Sequence, residues 1–187
     1  MAPPLPSFSR NLRLIAALRK RVAAALFVAA ALCVPPSIAQ AKKIVHYETE
    51  AGPGTIVIEA ARRKLFFVLG GGRAIEYRVG VPRHGAEWSG ETYVNGKYVR
   101  PAWAPTPEIK EEEPWLPDEI NGGAPNNPMG ARAITLERSE VAIHGSTRRM
   151  RATIGGAASH GCIRMYNEDV IDLYKRVHIG TPVLMLP

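Results

Sequence analysis

Thr55-Ile56-Val57-Ile58-Glu59-Ala60, the turn Ala61-Arg62-Arg63, and Lys64-Leu65-Phe66-Phe67-Val68-Leu69 together decide the fold class. Two short runs rich in β-branched and aromatic residues, separated by three polar or small ones, predict a β-hairpin. Outward from this hairpin the same grammar repeats. Gly70-Gly71-Gly72 interrupts the chain before another strand-like run, Ala74 to Val79. The triple glycine lacks the Lys-Ser/Thr and the helix that a phosphate loop requires, so it predicts a tight strand connection. Tyr93-Val94-Asn95-Gly96-Lys97-Tyr98-Val99 predicts a second hairpin about an Asn-Gly type I′ turn. Ala131 to Leu136, Val141 to His144 and Pro182 to Leu186 have strand character.

Helix signals are sparse. Asn167 is expected as an N-cap, with Glu168 and Asp169 in the first turn, an apolar stripe of Val170, Ile171, Tyr174 and Val177, and Lys175-Arg176 in the last turn. A shorter helix is expected near Thr153. The expected class is therefore mainly β with one or two short helices.

Between Pro101 and Pro128 the composition changes, with prolines at 101, 105, 107, 114, 117, 125 and 128 and tryptophans at 103 and 115. Such a segment excludes a long helix or a central strand. A long insertion in a compact domain is more often a flap than a connector, so residues 101–128 are expected to border the functional site. Glu111-Glu112-Glu113 within it are expected to form a solvated run.

The N-terminus predicts an export signal over residues 1–41. Arg10, Arg13, Arg19, Lys20 and Arg21 form a basic region, Val22 to Val34 an apolar core, and Ala39-Gln40-Ala41 a small-x-small cleavage pattern. The apolar core is shorter than the roughly 20 residues that span a bilayer. An uncleaved anchor is the alternative. Cys33 follows Leu32, whereas a lipoprotein cysteine needs a small residue before it. Of the 24 Lys and Arg, five lie in this leader, leaving 19 against 17 acids from residue 42 onward, a net +2. The basic pI is thus mainly a property of the leader, and no aromatic-interleaved basic stripe points to nucleic acid. Residues 42–187 suffice for one domain with its own core.

That domain keeps one cysteine, Cys162, in Ser159-His160-Gly161-Cys162, with His144 upstream in Ile143-His144-Gly145. It has no internal disulfide partner. A free thiol is only about 3% thiolate at neutral pH, and an imidazole within reach corrects this by accepting the proton. The imidazole needs an orienting group, for which the Gly145 carbonyl is available. Glycine beside Cys162 permits close approach of the backbone, and neighbouring N–H groups are candidates for an oxyanion hole. A buried structural cysteine is the competing reading. His46, His84 and His178 sit in no motif.

His144, fourteen residues, and then Ser159-His160-Gly161-Cys162-Ile163-Arg164 resemble the signature of the L,D-transpeptidase (YkuD-like) catalytic domain. Trp88-Ser89-Gly90, the proline-rich segment, Asn127-Pro128-Met129-Gly130-Ala131 and Cys162 through Asp169 extend the likeness to Gram-negative members, across nearly all of residues 50–187. The resemblance implies a sandwich-like β domain, Cys162 as nucleophile, His144 as general base and acid, and Gly145 as its orienter. Ser159, His160, Gly161 and Arg164 are expected at the substrate, and no metal or cofactor is expected. Arg164 stands where many members have Asn. It is expected either to pair with a stem-peptide carboxylate or to pack on the following helix.

The implied reaction is acyl transfer from a peptidoglycan tetrapeptide stem, with release of D-alanine. The acceptor would be an amine of another stem or of an envelope protein, or water in a carboxypeptidase. The implied location is the periplasm or cell envelope, with membrane contact only through the leader or an uncleaved anchor. A non-catalytic wall-binding module is the alternative from another class. A serine hydrolase elbow at Ala157 to Gly161 lacks its glycine-rich oxyanion loop, and a zinc site from His144, His160 and Cys162 lacks a fourth ligand.

Overall fold

The structure, a computed structural model, describes residues 43–187. The expected leader lies outside the described residues. Eleven strands dominate: β1 (Lys43–His46), β2 (Ile56–Glu59), β3 (Lys64–Val68), β4 (Arg73–Arg78), β5 (Val81–Pro82), β6 (Gly90–Val99), β7 (Arg132–Leu136), β8 (Ala142–His144), β9 (Ala157–Ser159), β10 (Ile163–Arg164) and β11 (Pro182–Leu186). Two α-helices, α1 (Pro107–Glu112) and α2 (Asn167–Arg176), and a 3₁₀ turn over Met150–Thr153 complete the described secondary structure. Nine strands follow the order β1-β4-β3-β2-β11-β6-β7-β8-β10, while β5 and β9 pair separately.

The opening hairpin forms as expected, with β2 and β3 antiparallel and Arg63 at φ 57° in the turn. Gly70, Gly71 and Gly72 all adopt positive φ between β3 and β4, a conformation that glycine reaches without steric cost. Ile56 and Ile58 enter the main core, whereas Val57 joins a second cluster with Phe66, Val68 and Ala74. Burial on both faces explains the unbroken Ile-Val-Ile run.

The second expected hairpin does not form. Residues 90–99 make one ten-residue strand, and Asn95-Gly96 marks a register shift against β7. Gly96 lacks the positive φ of a type I′ turn. A Cβ there would stand 2.6 Å from Thr135 Oγ1 and 2.7 Å from the Tyr98 ring, so glycine serves close packing. Asn95 Oδ1 accepts from Thr135 Oγ1 at 2.6 Å and holds the irregularity. The first part of β6 pairs with β11 and the rest with β7, so one bent strand joins the two halves of the sandwich.

Strands β8 and β10 are parallel, with Ile143 opposite Ile163 and His144 opposite Arg164. Both isoleucines are fully buried in the main core. Each such burial contributes roughly 1.5–3 kcal/mol, which clamps the two short strands against the domain. Because side chains alternate, Ala142 and His144, and Arg164 beside them, face away from that core.

Candidate active site

His144 occupies the last position of β8 and is 3% exposed. Its Nδ1 lies 2.8 Å from the Gly145 carbonyl. A carbonyl only accepts, so Nδ1 carries the proton and Nε2 is left as the basic nitrogen. Burial, and secondarily the Arg164 guanidinium, lower His144 to about 4. Its resting state at neutral pH is a neutral imidazole.

Cys162, half-buried, immediately precedes β10, the strand paired with that of His144. The Ala142 backbone hydrogen-bonds the Cys162 thiol, two positions before His144 on the neighbouring segment. Burial pushes the thiol up, opposed by the Ala142 backbone N–H and by Arg164. Thiol and imidazole are therefore both neutral at rest.

The loop carrying Cys162 is held from several sides. Gly161 has φ 131°, open to glycine but strained for side-chain residues. Its carbonyl accepts from the buried Trp88 Nε1 at 2.8 Å. Ser159, expected at the substrate, is instead 1% exposed, and its hydroxyl donates to the Cys162 carbonyl at 2.5 Å while accepting from Gly161 N at 3.3 Å. The Gly161 N–H is thereby engaged within the loop, so it is not a free oxyanion donor.

Asn167, expected as an N-cap, is the first residue of α2; Tyr166 occupies the cap position and makes no side-chain capping bond. The Asn167 amide has another task. Its Oδ1 accepts from Ala131 N at 2.9 Å and Ser146 N at 3.1 Å, and its Nδ2 donates to Ser146 O at 2.9 Å. It thus staples the Gly145 segment to the helix. A Cβ on Gly145 would clash with that amide and stand 2.9 Å from Ala131 N. An asparagine ahead of a helical stripe fits both a capping and a stapling role, and only the fold distinguishes them.

The 101–128 segment does border this region. Its neck closes where Trp103 N donates to Ile120 O at 2.9 Å and Ile120 N to Trp103 O at 2.7 Å. Buried Asn127 donates through Nδ2 to the carbonyls of Pro101, Ile120 and Asn121 at 2.9, 3.1 and 3.0 Å. One groove of about 650 Å³ is lined by Cys162, Trp103, Tyr98, Met129 and Val141. A second, of about 610 Å³, lies between the flap and residues Arg148, Met150, His160 and Arg164, with Trp103 common to both.

Glu112 is not merely solvated. It lies in α1, ion-pairs with Arg83, and places Oε2 2.8 Å from His160 Nε2. Arg83 first, and His160 second, hold its carboxyl down to about 2. Glu108, Glu112 and His160 bring possible ligand atoms within 4.8 Å of one another, but Arg83 contacts both carboxylates and already supplies the positive charge.

A buried imidazole locked by its neighbour's carbonyl, with a cysteine leading into the parallel neighbouring strand and a proline-rich flap alongside, defines a class. The L,D-transpeptidase catalytic domain model matches residues 53–185, and the chain belongs to that family. The probable L,D-transpeptidase YbiS of Escherichia coli K12 is 34% identical over 139 residues, covering 70% of this chain and 43% of that protein. The chain thus spans less than half the length of that curated relative. An L,D-transpeptidase structure from Mycobacterium smegmatis superposes with a TM-score of 0.57 at 14% identity, over 71% of this chain and 58% of that one, a likeness of fold. A Brucella melitensis structure described as a probable carnitine operon oxidoreductase is 39% identical, with a TM-score of 0.51 over 74% of this chain and 89% of that one. Among the described residues no helix is long and apolar enough to cross a membrane.

Proposed function

We propose that the protein is an exported peptidoglycan L,D-transpeptidase with Cys162 as its nucleophile. The observation that carries this reading is the His144 Nδ1 contact to Gly145 O, 2.8 Å, on the strand paired with β10, which Cys162 immediately precedes. It leaves Nε2 as the proton acceptor for the thiol.

Because both partners are neutral at rest, the thiolate forms as substrate binds. The Cys162 proton passes to Nε2 as sulfur bonds to the carbonyl carbon between the diamino acid and the terminal D-alanine. Collapse breaks the carbon–nitrogen bond, and the imidazolium returns its proton to the leaving D-alanine amine. A second amine then attacks the thioester, gives its proton to His144, and expels the thiolate, which is reprotonated from the imidazolium. The low basicity of His144 favours this return, since a weakly basic imidazole is a strong acid once protonated. The acceptor is an amine of another stem or of an envelope protein; water in its place gives the carboxypeptidase reaction. Residues 1–41 serve as the export leader and bring the domain to the cell wall.

Intact-mass measurement of the full chain with a tetrapeptide stem and an amine acceptor tests this. The expected result is a thioester adduct and D-alanine release from the wild type and neither from Cys162→Ala. An undiminished reaction in Cys162→Ala would sink the assignment. A carbapenem adduct on Cys162 would report the nucleophile independently of the natural acceptor.

A further inference from the structure

We propose that Trp88 is a positioning residue for the acyl transfer: its indole N–H holds the Gly161–Cys162 peptide unit in the orientation that turns the Cys162 N–H toward the oxygen of the attacked carbonyl. This rests on the acyl-transfer reading above and adds a residue that lines neither groove beside the catalytic loop.

Gly161 creates the need for such a hold. Its φ of 131° is rarely reached by side-chain residues, yet a Cβ there would meet only Val141 Cγ2, at 3.5 Å, an ordinary contact. Conformation rather than crowding is therefore what requires glycine. A glycine also leaves the peptide that follows it free to turn over at little steric cost. One buried bond opposes this, because the Gly161 carbonyl accepts from Trp88 Nε1 at 2.8 Å. The donor is itself fixed. Trp88 is part of the main core, 73 positions away in sequence, and the Arg138 guanidinium lies over its ring, 5.2 Å from the centroid.

The neighbouring polar groups are already engaged. Ser159 Oγ donates to the Cys162 carbonyl at 2.5 Å and accepts from the Gly161 N–H at 3.3 Å. On Gly161 and Cys162 together, only the Cys162 N–H is left without a hydrogen-bond partner among the described residues. The peptide joining them is trans, and in a trans peptide the N–H points opposite to the C=O. With the carbonyl bound to the buried indole, this N–H is directed away from the core, on the residue that lines the groove beside Trp103.

As the Cys162 sulfur bonds to the carbonyl carbon, the carbonyl oxygen takes up the π-electron pair and becomes an anion. The Cys162 N–H donates to that anion until the carbon–nitrogen bond breaks and the pair returns. A peptide that has turned over would present its own carbonyl oxygen there, which repels the anion. Trp88 thus acts on the transition state and not on the resting thiol.

The test separates acylation, which builds an oxyanion, from alkylation, which does not. In the full chain Trp88 is replaced by Phe and, site-specifically, by 3-benzothienylalanine, which keeps the shape of the indole but has sulfur in place of the N–H. Acylation of Cys162 by a tetrapeptide stem and by a carbapenem, and its alkylation by iodoacetamide, are followed by peptide mass. Both variants should acylate roughly tenfold more slowly or worse, toward the roughly hundredfold loss of a whole oxyanion donor. With an amine acceptor present, kcat for D-alanine release should fall while KM stays within about twofold, since the bond forms only in the transition state. Alkylation should stay within about twofold of wild type, because the thiol is unchanged. The isosteric variant decides the outcome should Trp88→Phe fold poorly.

Wild-type acylation in the benzothienylalanine variant would overturn the proposal. Alkylation that falls in step with acylation would do the same, since Trp88 would then support the thiol and not the N–H. A wild type that neither stem nor carbapenem acylates would instead remove the acyl-transfer reading, and this proposal with it.

Discussion

Replacing His144 by Gln should flatten the acid side of the protein's stability curve. In the folded state burial and Arg164 lower this imidazole to about 4, against 6.5 for the ordinary group. The unfolded chain therefore binds a proton as pH falls through 6.5, while the folded chain resists until about 4. The stabilisation from keeping His144 neutral is fully present above pH 6.5 and is lost progressively as pH falls toward 4. Between pH 7.5 and 4.5 linkage predicts a loss of between about 2 and 3 kcal/mol from this one residue. Against a total stability of roughly 5–15 kcal/mol, that is a large share. At a urea slope of about 1–3 kcal/mol/M it corresponds to a fall in midpoint of roughly 0.7–3 M. The assay is equilibrium urea unfolding of wild type and His144→Gln at both pH values. Gln retains a side-chain N–H group but does not titrate, and every other residue is common to the two proteins. A midpoint shift that is the same in the two proteins would refute the account of a buried, neutral His144.

Two further outcomes follow from contacts around the site. Asn167→Ala removes three hydrogen bonds to Ala131 and Ser146, and should cost about 2–4 kcal/mol in chemical denaturation and slow acylation of Cys162; unchanged acylation would mean that the staple does not position Gly145 and His144. Glu112→Gln weakens the ion pair to Arg83 and the contact to His160 that hold α1 down, so tryptic cleavage at Lys110 should accelerate several-fold. Wild type should approach that rate as salt rises, and cleavage indifferent to both salt and substitution would count against the ion-paired flap.

Periodicity was enough for the β class, for the hairpin at Arg63 and for the last strand over Pro182–Leu186, because these features depend on local pattern and burial. It failed at Asn95-Gly96, where the same dipeptide suits a turn or a bulge and the packing of Tyr98 and Thr135 decides between them. It also missed the Asn167 staple, the Trp88 contact to Gly161, and the capture of Glu112 by Arg83 and His160. Each joins residues at least 21 positions apart, and the hydrogen-bonding residues carry no periodic signal of their destination.

By itself the sequence determined the chemistry available: one thiol from residue 42 onward, a histidine separated by fourteen residues from the Ser-His-Gly-Cys run, and a glycine directly after that histidine. These are matters of composition and short spacing. Tertiary structure alone decided the protonation and the company of those groups. Burial of His144 makes it a weak base, the Ser159 hydroxyl is committed to the loop, and the Arg164 Nε is buried with no hydrogen-bond partner among the described residues. The reason is physical: desolvation and long-range pairing depend on which elements meet, and only the β8–β10 register and the folded-over flap bring these residues together.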